Sequence, residues 1–321
     1  MLDRSTRIFI AGHSGLAGSA IHRCLKKSEF SQILTRSHSE LDLTNQAATQ
    51  NFFASEKPQA VVLAAAKVGG ILANYDFPAD FIQQNLSIQS NVFEAAFRNG
   101  VRHLLFLGSS CIYLRDCAQP MKEEHLMSGP LELTNRPYAV AKIAGIEACW
   151  AHNRQHGTRY IAVMPTNLYG PGDNYDLANS HVLPALIRKL HEAKENNALE
   201  VSVWGTGSAY REFLYSDDLG QACLFLLDLP ERKLDSLFCD ERPPLINVGT
   251  GMELQIRDLV IKVADIVGYE GEISWDHSLP DGTPRKLLDN SSITNLGWKA
   301  AIGLDQGIQM AYADFLGRYE P

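Results

Sequence analysis

Tyr138 and Lys142 are the residues of this sequence whose types and spacing most directly suggest chemistry. They lie four positions apart in the segment TNRPYAVAK, residues 134–142, so on a helix they share one face. Pro137 suits the first helical position, and Thr134 and Asn135 are capping types. A lysine cation favours the phenolate and lowers the phenol's pKa from about 10 toward neutral pH. The pair could therefore exchange a proton beside a carbonyl carbon, or it could share a helix surface by accident.

A glycine-rich turn near the start of the chain could hold a nucleotide. Residues 7–11, RIFIA, predict a buried strand, and Gly12, Gly15 and Gly18 follow at three-residue spacing, with a helical pattern after them. Such a turn lets a pyrophosphate approach bare backbone, while the N–H groups of the helix start point at the anion. A glycine triplet alone is a weak signal. At the first strand–helix junction it predicts a dinucleotide site.

Basic residues after the predicted second strand, residues 31–36, bear on which dinucleotide binds. Arg36 and His38 stand there, with no acid at the strand tip. An acid would bind the ribose 2′-hydroxyl of NAD, whereas a basic group accommodates the 2′-phosphate of NADP. The two residues therefore favour NADP, although they could also be solvated loop charges. Asp42 could cap the next helix or reach the adenine.

Strands and helices alternate along the first half of the chain, which predicts an α/β fold. The fold class is a Rossmann-type doubly wound parallel sheet with a smaller α/β substrate-binding domain. Ser109 and Cys111 follow one of the strands, at the sheet edge where such folds bind ligands. Further strands are predicted at 60–66, 103–107 and 159–165, and long helices at about 80–99 and 137–156.

The pattern changes after about residue 171, which predicts a division into two domains. We expect residues 1–171, together with about 215–250, to form the NADP-binding domain. Residues 172–214 and 251–321 form the predicted substrate-binding domain. Within it a strand is expected at 201–204, and the segment 211–218 is expected to lead into a helix.

The bulk composition fits a cytoplasmic enzyme or binding protein. The 321 residues are 45% hydrophobic and carry a net charge of −8, which argues against general binding to nucleic acid or to anionic membranes. The sequence shows neither a signal-peptide pattern nor an apolar run long enough to span a membrane. Its six cysteines lack paired metal-type spacing, so we expect reduced thiols and no metal.

Several motifs together carry a family resemblance over about residues 7–300. They are AGHSGLAGSA, AAAKVGGI, LGSSCIY, NRPYAVAKIAG, VMPTNLYGPGDN, NSHVLPAL, WGTGSAYREFL, NVGTG and PDGTPRKLLD. In order and spacing they resemble the GDP-L-fucose synthases, a family of the extended short-chain dehydrogenase/reductase superfamily. The resemblance implies that NADPH serves as cofactor and GDP-4-keto-6-deoxy-D-mannose as substrate. The implied reaction epimerises that sugar at C3 and C5 and then reduces its C4 ketone.

The resemblance also implies a role for individual residues. Cys111 would be the base and His181 the acid of the epimerisation, although alone a cysteine there is usually a buried apolar residue and a helix-start histidine a cap. Ser109 would bind the C4 oxygen, Tyr138 would protonate it, and Lys142 would hold the nicotinamide ribose. The implied cofactor-binding residues are Gly12, Ser14, Gly15, Leu16, Gly18, Arg36, His38, Asp42, Leu107, Gly108, Lys142, Pro165, Asn167, Leu168 and His181.

Four further residues fall on the family's substrate positions. Lys189 and Arg211 could pair with the diphosphate. Trp204 offers an apolar face, or it is a core residue. Asp281 could accept hydrogen bonds from hydroxyls or guanine, or it only forms a turn. The two long helices could also build a four-helix interface, so we expect a homodimer.

The sequence departs from the family in two places and leaves rival functions open. Relatives typically carry Arg where this chain has Ser14 and a second basic residue, often Arg, at His38, and Pro follows their GSSCIY motif where residues 114–117 here read LRDC. A sugar 4,6-dehydratase would need an acidic pair where Ser110 and Cys111 stand. A UDP-sugar 4-epimerase needs no Cys/His pair, and an NADP-sensing protein needs no proton donor.

Overall fold

A computed structural model describes residues 2–177, 180–278 and 281–319 of the chain. In chain order the strands are β1 (Ile8–Ala11), β2 (Ile33–Thr35), β3 (Ala60–Leu63), β4 (His103–Leu107), β5 (Arg159–Pro165), β6 (Asn167–Tyr169), β7 (Glu200–Trp204), β8 (Tyr210–Tyr215), β9 (Leu245–Val248), β10 (Glu253–Gln255), β11 (Glu272–Asp276) and β12 (Arg285–Lys286). The helices are α1 (Leu16–Lys27), α2 (Gln46–Glu56), α3 (Ile71–Asp76), α4 (Pro78–Arg98), α5 (Arg136–His156), α6 (Val182–Glu195), α7 (Ser216–Asp228), α8 (Glu231–Leu234), α9 (Ile256–Val267), α10 (Ser291–Leu296) and α11 (Leu304–Arg318). Short 3₁₀ helices lie at Ser110–Ile112, Glu123–His125, Leu133–Asn135 and Asp235–Leu237.

The central layer is a parallel sheet in the order β2-β1-β3-β4-β5-β9. Its strands are apolar on both faces because helices cover both faces. In β1, for example, Phe9 and Ala11 join the core beneath α2, α4 and α5, while Ile8 and Ile10 join the core beneath α1 and α7. This arrangement confirms the predicted Rossmann-type sheet.

The order of strands reverses beside β1, and that reversal fixes where a ligand can bind. The chain runs from β1 outward to β2 and then returns to place β3 on the other side of β1. In such sheets a crevice opens outside the carboxyl ends of the strands at this point. The glycine turn after β1 and the segment after β3 meet there, since a Cβ on Gly12 would lie 2.6 Å from the Ala65 nitrogen.

A second group of strands surrounds β8. β6 and β12 pair with β8 in parallel and β10 pairs with it antiparallel, while β7 pairs with β11. A third apolar core lies between these strands and helices α6, α9 and α11, formed by residues such as Leu190, Val263 and Phe315. Helix α7, which follows β8, packs on α1, and β9 extends the central sheet beside β5.

Glu212 in the middle of β8 connects these layers. Its side chain is completely buried, and its carboxylate accepts hydrogen bonds from the backbone N–H groups of Gly251 at 2.7 Å and Leu288 at 3.0 Å. The backbone oxygen of the same residue accepts from the Asn167 side chain at 2.8 Å. One residue therefore connects β8 to the turn after β9, to the segment after β12 and to the start of β6.

The sequence prediction was wrong about one strand and one helix cap. Residues 210–215 form β8, where we expected only the lead into a helix. The strand is possible because distant backbone N–H groups bind the buried Glu212 carboxylate. Asn135 precedes α5, but its side chain makes no capping hydrogen bond there. Asn179 and Pro280, which begin two of the family motifs, lie outside the described residues. Within the described ranges, no helix is long and apolar enough to cross a membrane.

Candidate active site

Tyr138 and Lys142 lie on the first two turns of α5, which begins at Arg136 with Pro137 in its first turn. Both are buried, with 8% and 2% of their surface exposed. The Lys142 ammonium lies 5.9 Å from the centre of the Tyr138 ring and donates a 2.7 Å hydrogen bond to the carbonyl oxygen of Leu107, the last residue of β4. The two residues thus share one helix face, which is turned toward the end of the sheet.

The electrostatics of this pair differ from the prediction that Lys142 lowers the pKa of Tyr138. Burial is the main cause that raises the pKa of Tyr138 well above its ordinary value, and Cys111 nearby adds to the rise, against a hydrogen bond from Ser109. Burial also lowers the pKa of Lys142 to about 8. The expected effect is absent because the removal of both groups from water outweighs their attraction. Tyr138 is therefore a phenol, and a proton donor, at neutral pH.

Ser109 and Cys111 reach the same place from the end of β4. The Ser109 hydroxyl lies 3.1 Å from the Cys111 sulfur and bonds Tyr138. A 3₁₀ turn at Ser110–Ile112 brings the two side chains together. The structure thus assembles a hydroxyl, a thiol, a phenol and an ammonium at one strand end, which is a set suited to moving protons around a substrate oxygen.

Asn135 is a site residue that the sequence analysis interpreted as a helix cap. Its Nδ2 donates to the Cys111 carbonyl oxygen at 3.1 Å, so it fixes the backbone that carries the thiol. Its Oδ1 is buried without a hydrogen-bond partner, which is uncommon for a polar atom in a folded protein. No signal in the sequence separates this role from capping, since both use the same residue type before a helix.

His181 stands immediately before α6. The residue is exposed, yet the protein around it still lowers its pKa by desolvation. The structure groups Ser109, Cys111, Tyr138 and Lys142 at the end of β4. His181 has no hydrogen bond to any of these four residues.

The glycine turn after β1 has the shape that a dinucleotide phosphate requires. Gly12 has a positive φ of 86°, and a Cβ on Gly18 would lie 2.0 Å from the Gly12 oxygen, so the helix can approach the turn only without a side chain there. Ser14 and Gly15 are exposed at its tip, followed by Leu16 at the start of α1. The open backbone and helix start fit a pyrophosphate.

The other predicted cofactor residues lie along the same edge of the sheet. Leu107 ends β4 and Gly108 follows it, and the Leu107 oxygen accepts a hydrogen bond from Lys142. Pro165 ends β5, and Asn167 and Leu168 lie in β6, where the Asn167 amide donates to the Glu212 backbone oxygen.

The residues expected around the ribose 2′-position have partners within the chain. Arg36 pairs with Glu56 on α2 and donates to the Thr35 oxygen at 2.8 Å. His38 is exposed, with its Nδ1 4.0 Å from the Asp42 carboxylate. Asp42 accepts hydrogen bonds from Thr44, whereas Asn45 caps α2. The suggestion that Asp42 caps the helix is therefore wrong.

The four predicted substrate residues belong to the second group of strands and their loops. Lys189 donates to the Ser202 backbone oxygen. Trp204 is 65% exposed, so it is not a core residue. The Arg211 guanidinium donates to the Tyr210 oxygen at 2.7 Å, and burial lowers its pKa. Asp281 accepts from the Thr206 nitrogen at 2.9 Å and hydroxyl at 2.6 Å, so its carboxylate ties two loops together.

The buried Lys142 makes stability depend on pH in a way that can be tested. Its pKa in the folded chain is about 8, against an ordinary 10.5, so between these values the unfolded chain holds a proton that the folded chain has lost. Raising the pH through this window therefore favours folding at this site, by about 1.4 kcal/mol per pH unit. We therefore expect the difference in free energy of unfolding between wild type and Lys142→Met to increase with that slope as the pH rises from about 8 to 10.

Urea denaturation at pH 7, 8, 9 and 10 gives the free energy of unfolding of both proteins. In the difference between the two values, the contributions of the buried tyrosines and cysteines that titrate in the same range cancel. Lys262→Met, which removes a surface lysine paired with Asp305, is the control and should show no such slope. A constant difference between wild type and Lys142→Met across this range would contradict the burial of a neutral lysine.

Known proteins resemble this chain over its whole length. Residues 8–249 match the NAD dependent epimerase/dehydratase family. The chain is 52% identical to GDP-L-fucose synthase 1 of Arabidopsis thaliana, covering 98% of this chain and 95% of that protein. It is 50% identical to GDP-L-fucose synthase of Escherichia coli K12, covering 97% and 96%. The structure of the Campylobacter jejuni GDP-D-glycero-L-gluco-heptose synthase in the presence of NADPH superposes with a TM-score of 0.89 at 36% identity, over 99% of each chain. This chain therefore belongs to the NAD dependent epimerase/dehydratase family.

Proposed function

We propose that this chain makes GDP-L-fucose from GDP-4-keto-6-deoxy-D-mannose, by epimerisation at C3 and C5 followed by NADPH-dependent reduction at C4. The observation that carries the proposal is the cluster of Ser109, Cys111, Tyr138 and Lys142 at the end of β4, in a chain half identical to GDP-L-fucose synthases. One site can serve both reactions because the enolate and the alkoxide place negative charge on the same oxygen.

The epimerisation needs a base, an acid and a group that holds the C4 oxygen. The C4 ketone acidifies the protons on C3 and C5, so a base can remove each of them in turn. Cys111 is the base in our proposal, and the Ser109 hydroxyl 3.1 Å away binds the oxygen on which charge develops. His181, across the cleft on the start of α6, returns a proton from the other side of the sugar ring. Inversion follows because removal and return occur on opposite faces.

The reduction uses the same oxygen contact with a different proton donor. NADPH, when bound, supplies the hydride. Tyr138 is protonated at neutral pH because burial raises its pKa, so it can give its proton to the C4 oxygen. Lys142 lies one helical turn from Tyr138 and would hold the ribose of a bound dinucleotide. Its hydrogen bond to the Leu107 oxygen fixes α5, which carries Tyr138, to the end of β4.

The nucleotide and the sugar are assigned to separate parts of the chain. We assign NADP to residues 1–171 with about 215–250, through the glycine turn, Arg36 and His38. The remaining residues hold the nucleotide sugar: Lys189 and Arg211 pair with its diphosphate, exposed Trp204 provides an apolar face, and Asp281 accepts hydrogen bonds. The half-buried Arg211 guanidinium is suited to this role, since a partly desolvated cation attracts an anion more strongly.

The rival functions find less support. A dehydratase needs an acidic pair where the structure has Ser110 buried and Cys111 bonded to Ser109. A sensor without catalysis would not need a phenol, a hydroxyl and an ammonium in contact. A 4-epimerase remains the alternative that experiment must separate, since it would not exchange protons at C3 and C5.

Proton exchange in D₂O tests the proposed function directly. Incubation of the protein with GDP-4-keto-6-deoxy-D-mannose should place deuterium at C3 and C5 without NADPH, and adding NADPH should give GDP-L-fucose, both followed by NMR. Cys111→Ala should stop the exchange, whereas Tyr138→Phe should mainly stop the reduction. Cys117→Ala, which removes a neighbouring thiol, is the matched control. Absence of both exchange and NADPH oxidation in the folded wild type would refute the substrate assignment.

The cofactor preference rests on Arg36, although Glu56 holds its guanidinium in the structure. Removing it should cost one charge-assisted hydrogen bond to the 2′-phosphate, about 1.5–3 kcal/mol. We therefore expect Arg36→Ala to lower kcat/KM for NADPH by roughly tenfold to a hundredfold. The value for NADH should change little.

Steady-state kinetics with both cofactors measure this preference, with Arg98→Ala, a surface arginine paired with Glu94, as control. Equal losses with NADPH and NADH would show damage to the fold and not to 2′-phosphate recognition. No loss with either would leave His38 as the residue to test.

We further propose that the protein is a cytoplasmic homodimer. All six cysteines are free thiols that form no disulfide bond, as is usual for proteins of reducing compartments. The outer faces of α4 and α5 expose Leu86, Phe97 and Val140, which could pack against a second copy. Light scattering at micromolar concentration should give twice the 35.5 kDa of one chain, and Phe97→Glu should reduce it. A single-chain mass for the wild type would exclude the dimer.

A further inference from the structure

Lys286 lies close to Cys111 although it comes from a distant part of the chain. It is the second residue of β12, which pairs in parallel with β8 so that Lys286 lies opposite Arg211. Successive side chains of a strand point to opposite faces. Arg285 accordingly reaches outward to form an ion pair with Glu253, whereas Lys286 is half-buried. Ser110, Cys111, Glu132 and Lys286 line one small cavity.

The ammonium of Lys286 forms no hydrogen bond or ion pair within 4 Å in the part of the chain that the structure describes. The ionisable groups that interact with it are Cys111 from the 3₁₀ turn after β4, Arg211 from β8 and Glu132 from the loop before α5. Arg115 and Arg285 also line the cavity. Burial lowers the pKa of Lys286, while Cys111 and Glu132 favour its charged form. A desolvated ammonium without a bonded partner is costly, so an anion formed nearby would stabilise it.

Cys111 is the group that can provide this anion. Around it stand Ser109 at 3.1 Å, Tyr138 and Lys142 from α5, and Lys286 from β12. Lys142 already donates a hydrogen bond to the Leu107 oxygen. It is also the residue that we assign to the dinucleotide ribose. Lys286 forms no such bond among the described residues, and it lines one small cavity together with Cys111.

We propose that Lys286 is a positioning residue that maintains Cys111 as a thiolate, the form that can remove the C3 and C5 protons. This inference rests on the proposed function of Cys111. In the step, the thiolate takes a proton from carbon and becomes a thiol, while the C–H electron pair moves to the C4 oxygen held by Ser109. Lys286 gains and loses no atom; its charge stabilises the thiolate before each proton removal.

Alkylation of Cys111 by iodoacetamide measures the thiolate without any sugar nucleotide. The rate is determined from pH 6 to 10 by peptide mass spectrometry in wild type, Lys286→Met, Lys286→Arg and Arg285→Met. For Lys286→Met we expect the pH of half-maximal rate to rise by about one unit, and the rate at pH 7 to fall about tenfold. Lys286→Arg keeps the charge and should restore most of the rate. Arg285→Met removes a neighbouring charge that Glu253 already neutralises, and should leave the profile unchanged.

A second variant covers the case in which Lys286→Met does not fold. Glu132→Gln removes a carboxylate that interacts with the Lys286 ammonium in competition with Cys111. The ammonium would then act on the Cys111 thiolate alone, so the alkylation profile should move to lower pH. A wild-type profile in folded Lys286→Met, or no shift in Glu132→Gln, would overturn the proposal. A residue that only supports the fold would change the rate without moving its pH dependence.

Deuterium exchange at C3 and C5 separates this inference from the function on which it rests. Exchange by Lys286→Met should fall about tenfold at pH 7 and recover as the pH rises. A shifted alkylation profile in a protein that exchanges nothing would disprove the substrate assignment and leave the pairing of Lys286 with Cys111 intact. If Lys286→Met exchanged deuterium normally and had an unshifted alkylation profile, the role of Lys286 would be disproved and the proposed function would stand.

Discussion

The hydrogen bond from Lys142 to the carbonyl oxygen of Leu107 fixes helix α5 to the carboxyl end of β4. The geometry of the site depends on this contact, since Tyr138 comes from the helix and Ser109 and Cys111 from the strand end. Burying a lysine that has one backbone partner is unfavourable for its charge, and its pKa falls to about 8 in consequence. The fold thus keeps, at the centre of the site, a cation that an anionic or polar ligand would stabilise further.

Glu212 provides the corresponding constraint on the other side of the cleft. Its fully buried carboxylate binds the backbone after β9 and after β12, which fixes the register of β8 and β12. That register places Arg211 and Lys286 side by side. A single buried carboxyl group therefore helps to determine where Arg211 and Lys286, two basic side chains, stand relative to each other.

The sequence predicted the parts of this arrangement that depend on local pattern. The strands β3, β4 and β5 and the helix that carries Tyr138 follow from apolar periodicity and Pro137, and the glycine turn follows from spacing. It did not predict β8, because Arg211 and Glu212 look solvated until the turn at Gly251 supplies N–H donors from nearly forty positions away. The contact of Asn135 with Cys111 and the position of Lys286 likewise depend on long-range packing.

The pKa of Tyr138 shows how burial can reverse a conclusion drawn from spacing. A lysine four residues away predicts an easily ionised phenol, yet the phenol is 8% exposed and remains protonated. For a reduction this is the useful state, because the oxygen that receives hydride must also receive a proton. The thiol beside it has the opposite requirement, since a base must be ionised before it acts. Two neighbouring acids can meet these different requirements only if the charges around them differ, and Lys142 from α5 and Lys286 from β12 both interact electrostatically with Cys111. The same oxygen can then be held first as an enolate and later as an alkoxide, without rearrangement of the chain between the two reactions.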